Sequence, residues 1–246
     1  MESQRLKEWT TLSESDLSYH IKQWDITYRS TEAFAKFVSG RLSSGTVADV
    51  GCGAGGATYA LAKKFPSTQF VGLDISAELI ARAKLESAKR NIKNLSFEVA
   101  DCYNLKPRKL DGVVSLQTLS WLPDWREPLQ QIEQSLQPEW IAISSLFYQG
   151  DISCRIEVTE HQRQRVCFYN VYSVPSIARW AESHYYRLTQ FEEFEIDLDL
   201  QSPSKADTMG TRTLKVLDPE IGSSKRLQIS GPLLMNWGFL MLARAS

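Results

Sequence analysis

Several common protein classes are excluded by what the sequence lacks. Its four cysteines are too few for a disulfide scaffold in 246 residues, and no two of them form the C-x-x-C pair of zinc sites. We therefore expect reduced thiols and no metal site. An excess of one charge is also missing, since 28 Lys and Arg face 29 Asp and Glu, a formal net charge of −1. Nucleic-acid binding depends on concentrated positive charge, so no nucleic-acid partner is expected.

Long hydrophobic runs are missing as well. The longest, near Pro232–Ala243, is shorter than the ~20 residues that cross a bilayer, and Asn236 interrupts it. The first residues, MESQRLKEWTTLSESD, have no apolar centre, so no secretory signal is expected. A hydrophobic content of 43% with 23% charged residues is typical of a globular domain. These features predict a cytoplasmic protein without a membrane partner, and they leave its oligomeric state open.

Strand-like and helix-like segments alternate along the first part of the chain. Short apolar or β-branched runs predict strands, and apolar residues at helical spacing predict the helices between them. The predicted strands are Thr46–Val50, Phe70–Leu73, Leu95–Val99, Asp111–Leu116 and Trp140–Phe147, and the predicted helices are Ser30–Arg41, Ala57–Phe65, Ala77–Arg90 and Pro128–Leu136. This alternation with short connections indicates an α/β fold, with a parallel sheet covered by helices on both faces.

The pattern changes after Gly150. Two alternating runs, Ile152–Val158 and Val166–Val174, surround the polar stretch TEHQRQR and predict an inserted β-hairpin after the fifth strand. Pro175 then opens a predicted helix that continues through Tyr185. Further strands are predicted at Phe191–Leu200, Thr211–Leu217 and Leu227–Ile229, and the run Leu234–Ala243 closes the chain.

The strongest local signal is the stretch VADVGCGAGG, residues 47–56, between a predicted strand and a predicted helix. Glycines let the backbone turn sharply and approach a ligand closely, with the amides of the helix pointing at it. The spacing of Gly51, Gly53 and Gly56 also matches the dinucleotide fingerprint. The glycines alone therefore leave a nicotinamide cofactor open.

Acidic residues lie at the carboxyl ends of the first three predicted strands. Asp49 would lie beside a bound pyrophosphate, where like charges cost on the order of a few kcal/mol. A ligand with an ammonium and a sulfonium has the opposite preference, and capping of the turn is the alternative role. Asp74 comes about 20 residues after the glycines, the spacing of a ribose-binding acid, or it caps a helix for which Ser76 is the more natural cap. Asp101 and Cys102 are placed to contact adenine, unless Asp101 only forms a turn.

In this order and at these spacings, VADVGCGAG, GLDIS and VADCYNL resemble the class I S-adenosylmethionine-dependent methyltransferases. The resemblance covers about Thr46–Phe147. It implies a Rossmann-like α/β fold with a seven-stranded, mostly parallel sheet and an antiparallel last strand, and it implies S-adenosyl-L-methionine as the cofactor. Carried over onto this sequence, it assigns the methionine moiety to Asp49, Gly51, Gly53 and Gly55, the ribose to Asp74, and adenine to Asp101 and Cys102, with Cys52 and Ile75 as further cofactor contacts.

The loop after the fourth strand, LQTLSWLPD, resembles that of small-molecule methyltransferases of the trans-aconitate type. The resemblance places Gln117 and Trp121 at the cofactor wall, although Trp121 is equally a core residue. In the N-terminal segment, Tyr19, His20 and Trp24 are candidates to close over the cofactor, or they belong to a helix that only packs. The candidate acceptor contacts are Trp24, Tyr148, Arg155, Tyr169 and Tyr172. The catalytic residue stays unassigned, with the three histidines His20, His161 and His184 as candidates that are also explained as structural or solvated residues.

The sequence therefore predicts a methyltransferase that acts on a small-molecule acceptor by in-line displacement, in which positioning is most of catalysis. The alternatives are an NAD(P)-dependent oxidoreductase and a catalytically silent cofactor-binding module that acts through protein contacts. Neither the acceptor nor the methylated atom type is specified. We predict one domain over residues 1–246, with an N-terminal helical cap (1–41), a cofactor-binding half (46–147), an insertion (150–174) and a C-terminal half (175–246), in which the insertion and residues 201–230 shape the acceptor pocket.

Overall fold

The computed structural model describes residues 14–161, 165–199, 211–217, 222–230, 233–234 and 237–244. Its strands are β1 Thr46–Val50, β2 Gln69–Asp74, β3 Leu95–Val99, β4 Gly112–Leu116, β5 Trp140–Tyr148, β6 Glu157–Glu160, β7 Arg165–Phe168, β8 Tyr172–Ser173, β9 Tyr186–Phe194, β10 Thr211–Leu217, β11 Ser224–Ser230, β12 Leu233–Leu234 and β13 Trp237–Arg244. Its helices are α1 Glu14–Lys22, α2 Arg29–Phe37, α3 Gly56–Lys64, α4 Ala77–Arg90, α5 Arg126–Gln131 and α6 Val174–Ser183. A π-helical turn over Ile132–Leu136 continues α5.

Eight of these strands form one sheet, one more than predicted. Seven lie in the order β3-β2-β1-β4-β5-β13-β9, and the short β8 pairs with the end of β5. Strands β1 to β5 pair in parallel, whereas β13 runs antiparallel to both β5 and β9. This confirms the predicted α/β fold with a mostly parallel sheet and an antiparallel last strand. Because parallel strands end at the same side, the loops after β1 to β4 share the carboxyl edge of the sheet, where ligands bind in such folds.

Apolar side chains cover both faces of the sheet. In β1, Val47 packs into one cluster with Phe34 of α2 and Leu61 of α3. Its neighbours Ala48 and Val50 pack into a second cluster on the other face. Alternate residues of a strand point to opposite faces, so a strand with apolar residues in succession is buried on both sides.

Helix α4 shows how the sequence sets the boundaries of an element. The Ser76 hydroxyl accepts a hydrogen bond from the Leu79 amide at 3.3 Å and caps the amino end of the helix. At the other end, Asn91 adopts a left-handed conformation with φ of 52° and stops the helix. These limits agree with the predicted helix Ala77–Arg90. Among the helices described here, none combines the length and the apolar character needed to cross a membrane.

The insertion after β5 is a hairpin with shorter strands than predicted. The Oδ1 atom of Asn170 accepts a hydrogen bond from the Ile156 amide at 2.8 Å, where a longer strand would have used a backbone carbonyl. Regular pairing is therefore confined to β6 and β7. Beyond them the hairpin keeps a hydrogen bond from the Tyr169 amide to the Ile156 carbonyl and an isolated bridge between Cys154 and Val171. The end of the predicted run Val166–Val174 forms β8, which pairs in parallel with the end of β5, a pairing that was not predicted.

The predicted strand at Phe191–Leu200 is displaced in the structure. Helix α6 ends at Ser183, Tyr185 takes a left-handed conformation with φ of 61°, and β9 begins at the next residue. This early turn moves the strand toward the amino terminus, so it ends at Phe194; residue 200 lies outside the described residues. Strands β10, β11 and β12 form a separate antiparallel sheet, in which β11 contains the shorter predicted run Leu227–Ile229.

Both long insertions leave from the carboxyl edge. The hairpin follows the end of β5 directly. Phe194, the last residue of β9, pairs with Trp237, the first of β13, and Trp237 pairs with Leu146 near the end of β5. The connection from β9 to β13, which includes β10 to β12, therefore begins and ends at the same edge as the hairpin.

Candidate functional site

The glycine loop connects β1 to α3 and turns through three left-handed residues. The φ angles of Gly51, Gly53 and Gly55 are 80°, 57° and 83°, a region that side chains disfavour. The amides of Gly51 and Cys52 both donate to the Leu73 carbonyl, at 2.8 and 3.1 Å, which ties the loop to the end of β2. The loop is also crowded, because a Cβ atom on Gly53 would lie 2.9 Å from Nδ1 of His20. Glycine is thus required here for both its conformation and its size.

Asp49 lies under this loop with only 1% of its surface exposed. The Thr58 hydroxyl donates to its Oδ2 atom at 2.6 Å, and among the described residues its Oδ1 atom has no hydrogen-bond partner. The pKa of Asp49 is raised to about 7, chiefly by burial. The Thr58 hydrogen bond opposes this shift and the nearby Asp74 carboxylate adds to it. A buried acceptor without a donor costs ~1–3 kcal/mol. The site therefore favours a ligand that brings a donor or a positive charge.

Asp74 connects the loop to the end of β2. Its Oδ2 atom accepts a hydrogen bond from the Gly53 amide at 2.8 Å, and Oδ1 accepts one from the Ser76 amide at 2.9 Å. Burial raises the pKa of Asp74, although these amide hydrogen bonds act in the opposite direction. A carboxylate has about four lone-pair sites, so further donors have room beside the two amides. Since the Ser76 hydroxyl caps α4, helix capping is not the role of the Asp74 side chain.

The residues after β3 are arranged as a turn. The Asp101 carboxylate accepts from the Tyr103 amide at 2.9 Å, and its carbonyl accepts from the Asn104 amide at 2.9 Å. This is the turn role that the sequence left open for Asp101. Cys102 lies in the same turn and Ile75 follows β2; both are partly buried. Because β2 and β3 are paired neighbours, these residues share one end of the carboxyl edge.

Cys52 lies inside the glycine loop. Burial raises the pKa of its thiol well above the usual range, and the nearby Asp74 and Asp49 carboxylates add to the shift. A thiol that stays protonated is a poor nucleophile. Cys52 therefore belongs to the shape of the loop rather than to nucleophilic chemistry.

The loop after β4 borders the glycine loop. Gln117 has a φ of 58°, which is strained for a residue with a side chain, and its amide donates to the Ser144 carbonyl at 2.7 Å. Its Nε2 atom donates to the Ser30 hydroxyl at 3.5 Å, toward the N-terminal helices. The Thr118 hydroxyl donates to the Gly51 carbonyl at 3.1 Å. Strain of this kind collects at functional sites, and here it brings Gln117 next to the loop.

Helix α1 lies across the glycine loop. It places the His20 ring over Gly53, and the Tyr19 ring lies 5.5 Å from that of His20 and 6.0 Å from that of Tyr28, centroid to centroid. Tyr19 is 49% exposed, yet desolvation of its hydroxyl raises its pKa to about 12, with smaller contributions from Tyr28 and Tyr169. The structure thus brings Tyr19 and His20 to the site, as their interpretation as closing residues requires.

Trp24, predicted as an acceptor contact or as a residue that closes over the cofactor, lies packed beside the glycine loop. Its side chain is enclosed, with 4% of the residue exposed, and its ring stacks on that of Tyr59 at 4.8 Å. Its indole N–H donates to the Ala54 carbonyl at 2.6 Å. A cation–π contact does form, but the cation is the Arg90 guanidinium, 5.2 Å from the ring centroid.

Of the other candidate acceptor contacts, Tyr148 at the end of β5 and Arg155 on the insertion are exposed, whereas Tyr169 and Tyr172 are buried. The Tyr172 hydroxyl donates to the carbonyls of Leu119 and Leu122, at 3.2 and 3.1 Å, so Tyr172 anchors the loop after β4 instead. The Tyr169 ring packs edge-on against Trp121, with the centroids 5.1 Å apart. This pair forms an aromatic wall at the carboxyl edge.

The other two histidines lie away from the site. His184 stacks on Trp180 at 4.3 Å just after α6. The next strand begins at Tyr186, which pairs with Arg244 at the opposite, amino edge of the sheet, so His184 is wrong as a catalytic candidate. His161 is exposed at the tip of the hairpin. His20 is the histidine that the structure brings to the loop.

Sequence reasoning missed several residues that shape the site. Thr58 binds Asp49, Phe97 fills the space beside Gly55 and Gly72, and Asn170 fixes the insertion. A hydroxyl in the first helical turn after a glycine loop was a readable signal for Thr58. No local pattern marked Phe97 or Asn170, because their partners come from other strands and loops.

Comparison with known proteins places this geometry in a family. A family model described as a methyltransferase domain matches residues 42–193. Trans-aconitate 2-methyltransferase of Deinococcus radiodurans is 37% identical over 92 residues, which are 37% of this chain and 34% of that protein. The chain thus spans about a third of the length of the curated relatives it matches.

Solved structures agree with the fold. Magnesium protoporphyrin IX methyltransferase from Synechocystis, with bound S-adenosylhomocysteine (SAH), has a TM-score of 0.57 and 12% identity, over 98% of this chain and 92% of that one. A 4+2 cyclase has a TM-score of 0.60 and 14% identity, over 87% of this chain and 80% of that one. At these identities the likeness shows the fold alone. The cyclase makes plain that this fold does not specify a single reaction.

Proposed function

We propose that this chain, which belongs to the methyltransferase-domain family, binds S-adenosyl-L-methionine and transfers its methyl group to a small-molecule acceptor. The observation that carries the proposal is the buried Asp49 carboxylate, whose Oδ1 atom has no partner among the described residues. It lies beneath a glycine loop that a larger residue would disrupt. When bound, the cofactor supplies a methyl group on a positively charged sulfur.

The residues at the loop fit this cofactor. An ammonium group satisfies the open Asp49 oxygen and favours the ionised carboxylate, which burial otherwise disfavours. The left-handed glycines keep side chains out of the space over the loop. Asp74 is held at the end of β2 with lone pairs for ribose hydroxyls, while Ile75 and Cys102 flank the position for adenine. A nicotinamide dinucleotide fits less well, since its pyrophosphate would approach the buried Asp49 carboxylate and the partly buried Asp74 carboxylate.

The acceptor side of the proposal rests on the aromatic wall and the strained loop after β4. Tyr19 and Tyr28 come from the N-terminal cap, and Trp121 and Tyr169 from the loop after β4 and the insertion. With Gln117 they surround the same edge as the glycine loop. Rigid apolar walls with a few polar groups are typical of small-molecule sites. In-line transfer then depends on holding the acceptor against the methyl group, with no metal in the proposal.

We further propose that the protein acts in the cytoplasm. All four cysteines are among the described residues, and none of them forms a disulfide. Free thiols are typical of reducing compartments. Fractionation of cells that express the native chain tests this, and a periplasmic or secreted protein would contradict it.

The experiment that tests the function is methyl transfer from methyl-labelled S-adenosylmethionine to a metabolite extract. We expect the wild-type chain to label one or a few small molecules and Asp49→Asn to lose most of this activity. The matched control is Asp111→Asn, because Asp111 accepts from the Thr46 amide at the other end of β1. Binding of SAH without any label transfer would instead support the silent-module alternative.

A further inference from the structure

We propose that Trp24 is a positioning residue for the glycine loop, because its indole N–H fixes the orientation of the peptide between Ala54 and Gly55. The proposal deepens the function above and rests on it for the identity of the ligand. The loop geometry itself stands without that identity.

Both polar groups of this peptide are held. The Ala54 carbonyl accepts from Nε1 of Trp24 at 2.6 Å, and the Gly55 amide donates to the Cys52 carbonyl at 3.0 Å. Because a peptide is planar, its carbonyl and amide point in opposite directions and turn together. The hydrogen bond from Trp24 therefore also sets the direction of the Gly55 amide.

This peptide needs such a tie because its neighbours are glycines. Gly53 and Gly55, on either side of Ala54, have φ angles of 57° and 83°. Glycine populates positive and negative φ almost equally, so the loop has other backbone arrangements of similar energy. A hydrogen bond from outside the loop selects one of them. Among the described residues, it is the Trp24 side chain that donates this hydrogen bond, to the Ala54 carbonyl.

The Trp24 ring is itself fixed. It stacks on Tyr59 of α3 with an angle of 25° between the planes, and Phe97 lies 6.1 Å away. The Arg90 guanidinium lies over the rings of both Trp24 and Tyr59. Arg90 is in turn held by Glu86 and by Asp25, the residue after Trp24, at 2.6 Å from the latter. The indole N–H consequently has one available direction, toward the loop.

Trp24 also links the loop to the N-terminal cap. It lies four residues after His20, whose ring covers Gly53, and four before Tyr28 at the start of α2. A displacement of this segment moves the hydrogen-bond donor away from Ala54. The position of the cap and the shape of the loop are thus coupled through one side chain.

Trp24→Phe separates positioning from packing. Phenylalanine keeps an aromatic ring on Tyr59 and removes the N–H that holds Ala54. The matched control is Trp125→Phe, since Trp125 is 1% exposed and packs in the main core away from the loop. Both variants lose the same atoms from a buried site, and only one of them loses a hydrogen bond to the loop.

The Tyr59 amide donates to the Gly55 carbonyl at 2.8 Å, so it reports on the loop together with the Gly55 amide. Three measurements distinguish the outcomes: SAH affinity by calorimetry, hydrogen exchange of these two amides, and the unfolding midpoint. For Trp24→Phe we expect about tenfold weaker SAH binding, the equivalent of one lost hydrogen bond. We also expect faster exchange at both amides, with a midpoint no lower than that of Trp125→Phe. At saturating cofactor, turnover should stay close to that of the wild type.

Unchanged SAH affinity and unchanged exchange in Trp24→Phe would overturn the proposal. So would losses of affinity that match those of Trp125→Phe, because Trp24 would then act through packing alone. If the wild-type chain fails to bind SAH, the proposed function fails, whereas the exchange rates at Gly55 and Tyr59 still decide whether Trp24 positions the loop.

Discussion

The two regions of the carboxyl edge are built in different ways. At the cofactor region, around β1 to β3, short loops are held by hydrogen bonds to single side chains. Asp74 accepts one from the Gly53 amide, and Asp49 accepts one from the Thr58 hydroxyl. The acceptor region is formed by long segments that leave the sheet and return to it. The first kind of site follows from a local motif. The second depends on where distant parts of the chain are anchored.

Asn170 is the main anchor of the acceptor region. Its fully buried side chain accepts from the Ile156 amide at 2.8 Å and donates to the Leu122 carbonyl at 2.7 Å. Its own amide donates to the Ser120 carbonyl at 2.8 Å. One residue thus joins both sides of the hairpin base to the loop after β4. This arrangement orients the insertion over the edge without help from a sequence motif.

The largest effect is expected from shortening the hairpin. The Tyr169 amide donates to the Ile156 carbonyl at 2.9 Å, so a short Gly/Ser linker can replace residues 157–168 and leave Asn170 in place. We expect unchanged SAH affinity and a loss of turnover of about 100-fold or more, since misplaced reactants alone cost that much. Calorimetry measures the SAH affinity, and the methylation assay measures turnover. If the folded variant loses SAH binding, the hairpin also contributes to the cofactor region, and the two regions are not separate.

Asp74→Ala should act on the cofactor region alone. It removes the acceptor for the Gly53 and Ser76 amides and for the ligand, so we expect SAH binding to weaken by ~1–3 kcal/mol. Asp151→Ala is the control from the acceptor region, where Asp151 is exposed and pairs with Arg179 at 2.5 Å. Equal SAH affinities for the two variants would show that Asp74 is misassigned.

Two glycines with similar backbone angles test the crowding of the loop. Gly53 and Gly222 have φ angles of 57° and 64°. Among the residues that the structure describes, a Cβ atom on Gly53 would meet His20, whereas one on Gly222 would meet none. Alanine at either position should lower stability by ~1–2 kcal/mol because of the left-handed backbone. Only Gly53→Ala should also weaken SAH binding in calorimetry. If Gly53→Ala keeps the wild-type affinity for SAH, the His20 ring moves aside without an effect on cofactor binding.

A further prediction concerns Asp49 and the pH dependence of stability. Its folded-state pKa of about 7 lies above the ordinary 3.8, so the ligand-free fold gains stability while the carboxyl stays protonated. That contribution is complete below the unfolded-state pKa and is lost as pH rises through about 7. We therefore expect the unfolding temperature of Asp49→Asn to depend less on pH than that of the wild type. Parallel curves for the two proteins would contradict the assigned burial of the charge.

The same difference explains what the sequence could reveal. The glycine loop and Asp74 were readable because their conformation and spacing are local properties of the chain. The role of Trp24 could not be predicted, since its partner Ala54 is 30 residues away and an indole ring packs equally well against an acceptor. His184 was misplaced because its position depends on the direction of β9. The ends of β6 and β7 depend on Asn170, whose competition with backbone pairing has no signature in the sequence.

The central claim is that the loop after β1 is a site for S-adenosylmethionine rather than for a dinucleotide. The most direct measurement is calorimetric titration of the purified chain with SAH and, separately, with NAD. The buried Asp49 and partly buried Asp74 carboxylates predict saturable, one-site binding of SAH and no binding of NAD. They also predict weaker SAH binding as pH falls below the Asp49 pKa of about 7. Saturable NAD binding, or no SAH binding by the folded wild-type chain, would contradict it.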